Sequence, residues 1–319
     1  MTLDLLVENI TNPALLFFLL GMVAVLLKSD LQIPPNSSKF ISLYLLFSIG
    51  FKGGQELSHE QLTTEILGSI VFGISISLII PVYTFFILKR KLSIYDAGAV
   101  AAAYGSVSAV TFVTAVSYLE SQQLAMPGHM VAIMALMESP AIIAGLILVS
   151  VFNNTGERIQ KTLAIKHSFT NGSVLLILGS LLIGFLASAK QAEGIKPFTN
   201  DIFKGFLAIF LLDMGIESGK RIKSFLSNGL FPAIFAILVP LVNGSLVALV
   251  SAAITQDSSS RFAFAILAAS ASYIAVPAAM KIALPKANPG LFLPMALAVT
   301  FPINITLGMP LFFWIINLG

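Results

Sequence analysis

The segment Ala103-Tyr-Gly-Ser-Val-Ser-Ala109 interrupts the fourth apolar stretch of the chain, and Ala269-Ser-Ala-Ser-Tyr-Ile-Ala-Val-Pro277 interrupts the ninth. Small and hydroxyl-bearing residues allow a membrane helix to unwind, and the unwound backbone exposes N–H groups to a ligand. The two segments therefore predict a pair of broken helices. Serines in membrane helices also permit close packing or bond back to the helix, so a purely structural role stays open for either segment alone.

The apolar stretches around these segments place the chain in a membrane. Of its 319 residues, 57% are apolar and 10% are charged, whereas a soluble domain carries about 25% charged residues. This composition excludes a soluble enzyme, because too little polar surface is available. The absence of cysteine excludes disulfides, iron–sulfur clusters and thiolate zinc sites. The net charge of +3 is attributed to cytoplasmic loops and not to nucleic-acid binding.

Ten stretches are apolar enough to cross a membrane, where a spanning helix needs about 20 mostly apolar residues. The sequence therefore predicts an all-α polytopic membrane protein. The second and seventh stretches are short. The predicted spans are 9–27, 39–51, 65–88, 96–118, 128–152, 171–189, 201–218, 229–254, 262–284 and 290–317.

The basic residues favour one orientation of these spans. With both termini outside, 13 of the 18 lysine and arginine residues fall in inside loops and five fall in outside segments. Cytoplasmic loops carry the excess of lysine and arginine. We therefore expect a multi-pass protein of the inner (cytoplasmic) membrane with both termini outside. The five outside residues are Lys52, Lys190, Lys196, Lys204 and Arg261.

The two halves of the chain resemble each other at a nearly constant offset. The matched pairs, at offsets that drift from 165 to 162, are Gly50 and Gly215, Gly54 and Gly219, Ser106 and Ser270, Ser108 and Ser272, Pro127 and Pro289, Gly128 and Gly290, and Pro140 and Pro302. Self-similarity of this kind indicates an internal repeat.

Each half contains five predicted spans, so the second half must lie upside down relative to the first. The sequence thus predicts two inverted five-helix repeats, at residues 1–152 and 171–319, joined by a short cytoplasmic linker at 153–170. Inverted repeats are typical of secondary transporters, whose sites lie near the middle of the bilayer where the halves meet.

The two predicted breaks, in spans 4 and 9, form a candidate site for a small anion. Half-helices carry partial positive charge at their N-termini, and two such ends are expected to meet near mid-membrane. The candidate substrate-binding residues are Gly105, Ser106, Ser108, Ala269, Ser270, Ala271 and Ser272.

Glu138 is a carboxylate ten residues into the fifth span, in Met137-Glu-Ser-Pro140. An ionised carboxylate near mid-membrane is costly unless it is paired. No basic residue is predicted at comparable depth, so a bound Na⁺ or a proton is the expected partner. A protonated acid bonded to a neighbouring helix is the remaining alternative. The candidate Na⁺ ligands are Glu138, Ser139, Thr300, Ser108 and Ser272.

Four further polar residues are candidates for the same region, namely Asp213, Glu217, Thr111 and Tyr273. Asp213 and Glu217 lie one turn apart in the seventh span. Glu217 can instead pair with the basic residues just beyond it, at positions 220 and 221. Asp213 lies deeper, where such a pairing is less available.

These residues resemble those of the sodium-dependent bicarbonate transporter family, the SbtA type known best from cyanobacteria. The resemblance covers all ten spans in order. Its matching stretches are Ile49-Gly-Phe-Lys-Gly-Gly54, Tyr104-Gly-Ser-Val-Ser108, Met137-Glu-Ser-Pro-Ala141, Met214-Gly-Ile-Glu217, Ala268-Ala-Ser-Ala-Ser272 with Pro277, Pro285-Lys-Ala-Asn-Pro289 and residues 300–311.

The resemblance implies a Na⁺-coupled bicarbonate symporter for inorganic carbon uptake. It also implies a gate domain that moves against a core domain, a homotrimer, and regulation by a PII-like protein on the cytoplasmic face. No cofactor beyond the coupling ion is implied. The segment at 153–170 is shorter than in cyanobacterial members, so the PII-like regulator carries over only weakly.

The chain departs from the family pattern within the candidate site. Val110 stands where the family usually has serine, Tyr273 where it has aspartate, and Glu138 where it has aspartate. These differences leave the identity of the anion open, with another small carboxylate as the alternative to bicarbonate. They also leave open whether Na⁺ or H⁺ is the coupling ion.

Two other function classes fit the sequence less well. A membrane hydrolase needs a nucleophile with a base, or metal ligands such as His-Glu-x-x-His. No such motif is present, so no enzymatic activity is expected. A regulated anion channel needs a pore lined by like groups, whereas internal two-fold similarity favours alternating access within one chain.

Overall fold

A computed structural model describes residues 11–61, 63–153, 172–226 and 228–318. Within these ranges the chain forms helices and short connections and contains no β-strand. The first ten residues lie outside the described residues, and so does the predicted linker at 153–170 except for Asn153.

The described part of the first half forms six helices. Hydroxyl side chains accept backbone N–H groups at several helix starts, as Thr63 does before the third and Ser93 before the fourth helix. Such caps satisfy N–H groups that have no partner within the helix. The helices are α1 (Pro13–Leu26), α2 (Pro35–His59), α3 (Thr64–Leu88), α4 (Ile94–Gly105), α5 (Ala109–Ser121) and α6 (Gly128–Phe152).

The described part of the second half forms seven helices, of which the last is irregular, and two short turns, a π-helical one at Pro197–Asp201 and a 3₁₀ one at Ser251–Ala253. The helices are α7 (Gly172–Leu186), α8 (Ala189–Glu193), α9 (Phe203–Leu226), α10 (Leu230–Val250), α11 (Ser258–Ala269), α12 (Ala275–Ala283) and α13 (Pro289–Ile316). Two π-helical segments, Met295–Thr300 and Asn304–Gly308, interrupt α13 on either side of Pro302. Proline lacks an N–H group, and π turns often accompany functional sites.

Five stretches of the described residues are long and apolar enough to cross a bilayer. They are α3, α4 together with α5, α6, α10 with the turn that follows it, and α13. The helices α1 and α7 are apolar but shorter. Large apolar side chains such as Val71 on α3 and Leu238 on α10 are exposed, as expected for surfaces that contact lipid. The chain is a multi-pass membrane protein.

The second and seventh predicted spans are shorter than the helices that the structure shows. The α2 helix has 25 residues and α9 has 24, each enough to extend about 36 Å. The apolar part of α2 lies between Lys39 and Lys52, but the helix continues beyond both of these charged residues. Hydropathy therefore locates the apolar part of these helices and misses their true ends.

Both predicted interruptions are present as breaks in helices. The first lies between Gly105, which ends α4, and Ala109, which begins α5. The second lies between Ala269, which ends α11, and Ala275, which begins α12. In each break the C-cap residue is a serine with an extended backbone. At each break, a helix C-terminus and a helix N-terminus therefore lie inside the bundle.

The α2 helix packs closely against α7, and α9 packs closely against α1. A Cβ atom on Gly54 would lie 2.0 Å from the carbonyl oxygen of Leu181 in α7. A Cβ atom on Gly215 would lie 2.0 Å from the carbonyl oxygen of Phe18 in α1. Backbones approach this closely in membranes only where no side chain intervenes. Both helix contacts therefore depend on glycines that belong to the matched pairs of the two halves.

Replacement of Gly215 by alanine should destabilise the protein, because the added methyl group must displace the backbone of α1. Overpacking of this kind costs about 1–3 kcal/mol, which we expect to see as a lower melting temperature in detergent. Gly205→Ala in the same helix is the matched control, since nothing lies within 4 Å of the added methyl group there. Equal melting temperatures of the two variants would contradict the close contact between α1 and α9.

Candidate functional site

The two helix breaks lie against each other and are joined by hydrogen bonds. The N–H of Ser108 donates to Oγ of Ser270 at 3.0 Å, and the N–H of Ser272 donates to the carbonyl oxygen of Ala103 at 2.8 Å. Each bond runs from one break to the other, and all four residues are buried. The position of one break therefore depends on that of the other.

Two serines also accept N–H groups from the first turns of the helices that begin at the breaks, and Ser108 is the N-cap of α5. The Oγ of Ser108 accepts from the N–H of Thr111 at 3.1 Å, and the Oγ of Ser272 accepts from the N–H of Val276 at 3.4 Å. A hydroxyl that accepts in this way keeps its own hydrogen to donate. Ser108 and Ser272 can each stabilise a helix start and still donate to a bound ligand. Thr111 takes part through its backbone.

A small cavity of about 20 Å³ lies where the two breaks meet α6. It is lined by Ser108 and Ser272, by Ala109 and Ala275 at the starts of α5 and α12, and by Glu138. The two helix N-termini contribute N–H groups and partial positive charge, and Glu138 contributes a carboxylate. A cavity of this volume has room for about one water-sized group. The other lining residues are Leu46, Val107, Ser173, Tyr273 and Ile274.

Glu138 is buried, with 7% of its surface exposed. The ion pairs among the described residues do not include it. In the same part of the chain, no lysine or arginine lines the cavity. Its carbonyl oxygen accepts a hydrogen bond from Oγ of Ser106 at 3.4 Å, which links α6 to the first break. A buried carboxylate without a basic neighbour is stabilised by a bound cation or by a proton.

Other predicted anion-site residues lie beside the small cavity and do not line it. Ser106 and Ser270 donate their hydroxyls to backbone carbonyls, those of Glu138 and Leu267. These hydroxyl hydrogens are therefore engaged by the protein. The residues Gly105, Ala269 and Ala271 are buried at or within the breaks.

Two predicted Na⁺ ligands also lie outside the lining of the small cavity. The hydroxyl of Thr300 lies 2.7 Å from the Tyr104 hydroxyl and donates to the carbonyl oxygen of Ala236 at 2.8 Å. It thus joins α13 to α4 and α10. Ser139 is buried next to Glu138 in α6.

Two asparagines hold the end of α11, and sequence analysis did not single them out. Nδ2 of Asn304 donates to the carbonyl oxygen of Ala269 at 2.7 Å, and Nδ2 of Asn243 donates to that of Ala268 at 3.4 Å. The Tyr83 hydroxyl donates in turn to Oδ1 of Asn243. These amides satisfy carbonyls that the break leaves without a helical partner. In each case, a lone asparagine within an apolar stretch is the sequence feature that could have identified the residue.

Residues 13–317, nearly the whole chain, match the family model of the Na⁺-dependent bicarbonate transporter superfamily. The chain belongs to this superfamily. It is therefore a transporter and not an enzyme. Comparison with curated proteins finds no significant match.

The transporter also has a larger cavity of about 470 Å³, between the first turns of α2, the second half of α9 and the start of α13. Asp213 lines it, is 6% exposed, and accepts a hydrogen bond from the hydroxyl of Ser38. Glu217 lines it as well and pairs with Lys220 at 3.2 Å and Arg221 at 3.3 Å. These two ion pairs agree with the alternative interpretation of Glu217, in which it pairs with the basic residues just beyond it.

Tyr273 lies between the small and the large cavity. Together with Ser173 and Ile274 it lines both the small and the large cavity. Its hydroxyl donates to the sulfur of Met214 in α9 at 3.8 Å. The second break thus contacts α9 through this side chain, at a position where the resembling family carries aspartate.

Proposed function

We propose that the transporter couples inward movement of bicarbonate to that of Na⁺ across the cytoplasmic membrane by alternating access. The observation that carries this proposal is the small cavity, since Glu138 and the N-termini of α5 and α12 line it together. A carboxylate suits a cation, and helix N-termini suit an anion. Membership in the superfamily supports the same pair of ions.

The anion is proposed to bind between the two breaks in a state in which the small cavity, about 20 Å³ here, is wider. The N-termini of α5 and α12 offer backbone N–H groups, and the hydroxyls of Ser108 and Ser272 face the same cavity and can donate to the anion. A small oxyanion can accept several such bonds at once, and each adds to the partial positive charge of the helix ends. In this proposal Ser108 and Ser272 donate their hydroxyls to the anion. The remaining candidate residues hold the backbone of the breaks around it, namely Gly105, Ser106, Ala269, Ser270 and Ala271.

The cation is proposed to bind beside the anion, at Glu138. Hydroxyl oxygens of Ser108 and Ser272 line the same cavity, and Ser139 and Thr300 complete the proposed ligand set. Opposite charges stabilise each other strongly where water is excluded. Each ion therefore favours binding of the other, which is a physical basis for coupled transport.

We further propose that the ten spans form inverted repeats at residues 1–152 and 171–319, connected by 153–170. The two close helix pairs, α2 with α7 and α9 with α1, support this arrangement because an inverted repeat exchanges them. The N–H donors of the two hydrogen bonds between the breaks, Ser108 and Ser272, are also a matched pair of the two halves. We assign α1, α2, α7 and α9 to a gate domain and the broken helices to a core domain.

The proposed orientation has both termini outside and puts the large cavity at the cytoplasmic face. That cavity lies among the starts of α2, α7 and α13 and the later turns of α9, which this orientation places inside. An inward vestibule would then end at Tyr273. We propose Asp213, Glu217, Thr111 and Tyr273 as further residues of the ion path.

A homotrimer with a PII-like regulator on its cytoplasmic face is proposed from the resemblance. The exposed apolar faces of α3 and α10 contact lipid or neighbouring protomers in this proposal. Chemical cross-linking in native membranes is expected to give a trimer. A band no larger than a monomer would contradict it.

Labelled bicarbonate uptake into proteoliposomes tests the proposed function. We expect uptake that rises steeply when an inward Na⁺ gradient is applied, because the ions bind together. Equal inward K⁺ is the control for membrane potential and ionic strength. Small carboxylates added outside should compete weakly if bicarbonate is the substrate.

Three results would replace the proposal by another. Uptake that follows a pH gradient and ignores Na⁺ would indicate H⁺ coupling. Complete competition by a small carboxylate would indicate that this carboxylate is the substrate. Anion flux that never accumulates against a gradient would indicate a channel.

A further inference from the structure

A third cavity, of about 260 Å³, lies near the other end of α2 and contains two lysines. It opens between α2, α5 and the start of α9. Its polar lining residues are Ser48, Lys52, Glu120, Thr199, Asn200 and Lys204. The volume is sufficient for a small anion with several water molecules.

The two lysines share one carboxylate. Nζ of Lys52 pairs with Oε1 of Glu120, and Nζ of Lys204 lies 3.6 Å from Oε2 of the same residue. The lining residues therefore carry one net positive charge. The side chains of Lys52 and Lys204 are 36% and 67% exposed, and exposed pairs of this kind are weak. An anion from solution can thus compete with Glu120 for the lysines.

We propose that this cavity is an external capture site, where Lys52 and Lys204 bind a small oxyanion before it reaches the breaks. This inference rests on the proposed function and on the orientation that puts both lysines outside. The hydroxyl of Ser48 and the amide of Asn200 line the same space and can donate to oxyanion oxygens, whereas the Thr199 hydroxyl donates to the carbonyl oxygen of Ile195. A positive cavity at the mouth of a transporter also raises the local anion concentration.

A purely structural latch is the alternative function of the same side chains. In that case the lysine–glutamate pairs only hold α2 and α9 against α5. Replacement of Lys52, Lys204 or Glu120 would then change the KM in the same direction, because each replacement removes part of the same contact between helices. An anion site predicts opposite effects, since the lysines attract the substrate and Glu120 competes with it.

The test is the KM for external bicarbonate, measured in proteoliposomes with an inward Na⁺ gradient. Lys52→Gln and Lys204→Gln should each raise KM about twofold to fivefold, while Glu120→Gln should lower it. Lys52→Arg keeps the charge and should keep a KM close to that of the unmodified protein. Lys190→Gln is the control, because it removes an exposed lysine of α8 that does not line the cavity.

Two results would overturn the capture site while the proposed function stands. One is an unchanged KM in all lysine and glutamate variants with normal Na⁺-driven uptake. The other is a change of KM in the same direction for Lys52→Gln and Glu120→Gln, which indicates a latch. If the unmodified protein takes up no bicarbonate, the proposed function fails, and the capture site fails with it. Melting temperatures in detergent identify any variant that is misfolded.

Discussion

Glu138→Gln should abolish the dependence of bicarbonate uptake on the Na⁺ gradient. Glutamine keeps the shape and hydrogen-bonding capacity of the side chain and removes its charge. Among the residues that the structure describes, Glu138 is the only charged one that lines the small cavity. Loss of one partner from a buried charge pair costs about 3–5 kcal/mol, so affinity for Na⁺ should fall by more than about 100-fold.

Two measurements check this prediction. Uptake in proteoliposomes should lose its response to Na⁺, and the rise in melting temperature that Na⁺ causes in the unmodified protein should disappear. Glu138→Asp is the matched control, because it keeps the charge and shortens the side chain by one methylene. We expect it to retain Na⁺ dependence with weaker affinity. Undiminished Na⁺-dependent uptake by Glu138→Gln would exclude Glu138, and Asp213 would become the next candidate.

The double variant Ser108→Ala/Ser272→Ala should weaken bicarbonate binding. Both side chains line the small cavity, and each hydroxyl can donate to an anion bound there. Each lost donor costs about 0.5–1.5 kcal/mol, so the KM for bicarbonate should rise roughly fivefold to hundredfold. The melting temperature should also fall, because the N-cap of α5 and the bond from Ser272 to the first turn of α12 are lost.

Ser106→Ala is the comparison that separates binding from stability. Its hydroxyl donates to the carbonyl oxygen of Glu138 and does not line the cavity. We expect a lower melting temperature with a much smaller change in KM. If both variants leave KM unchanged, the anion does not bind between the breaks.

Local composition was enough to predict the membrane class and the positions of both breaks. Apolar runs can be satisfied only in lipid, and clusters of glycine and serine weaken a helix wherever they occur. These are properties of short segments, so they do not depend on the rest of the fold. Glu138 could be singled out for the same reason, since a carboxylate within an apolar span is costly in any arrangement.

Sequence analysis predicted the ends of the helices less well. The α2 and α9 helices continue through charged residues that end their apolar pattern. Main-chain hydrogen bonds sustain a helix regardless of hydropathy. Solvent-facing turns of a spanning helix therefore escape a method that scores only apolar residues.

The sequence by itself determined that this protein crosses the membrane, that two helices break within it, and that a carboxylate is buried. Only the tertiary structure decided that Ser108 and Ser272 line the small cavity, while the hydroxyls of Ser106 and Ser270 bond to carbonyls. It also decided that Lys52 and Lys204 share one carboxylate. The physical reason is that these contacts join residues far apart in the chain, and a side chain's neighbours across a break depend on how the helices cross.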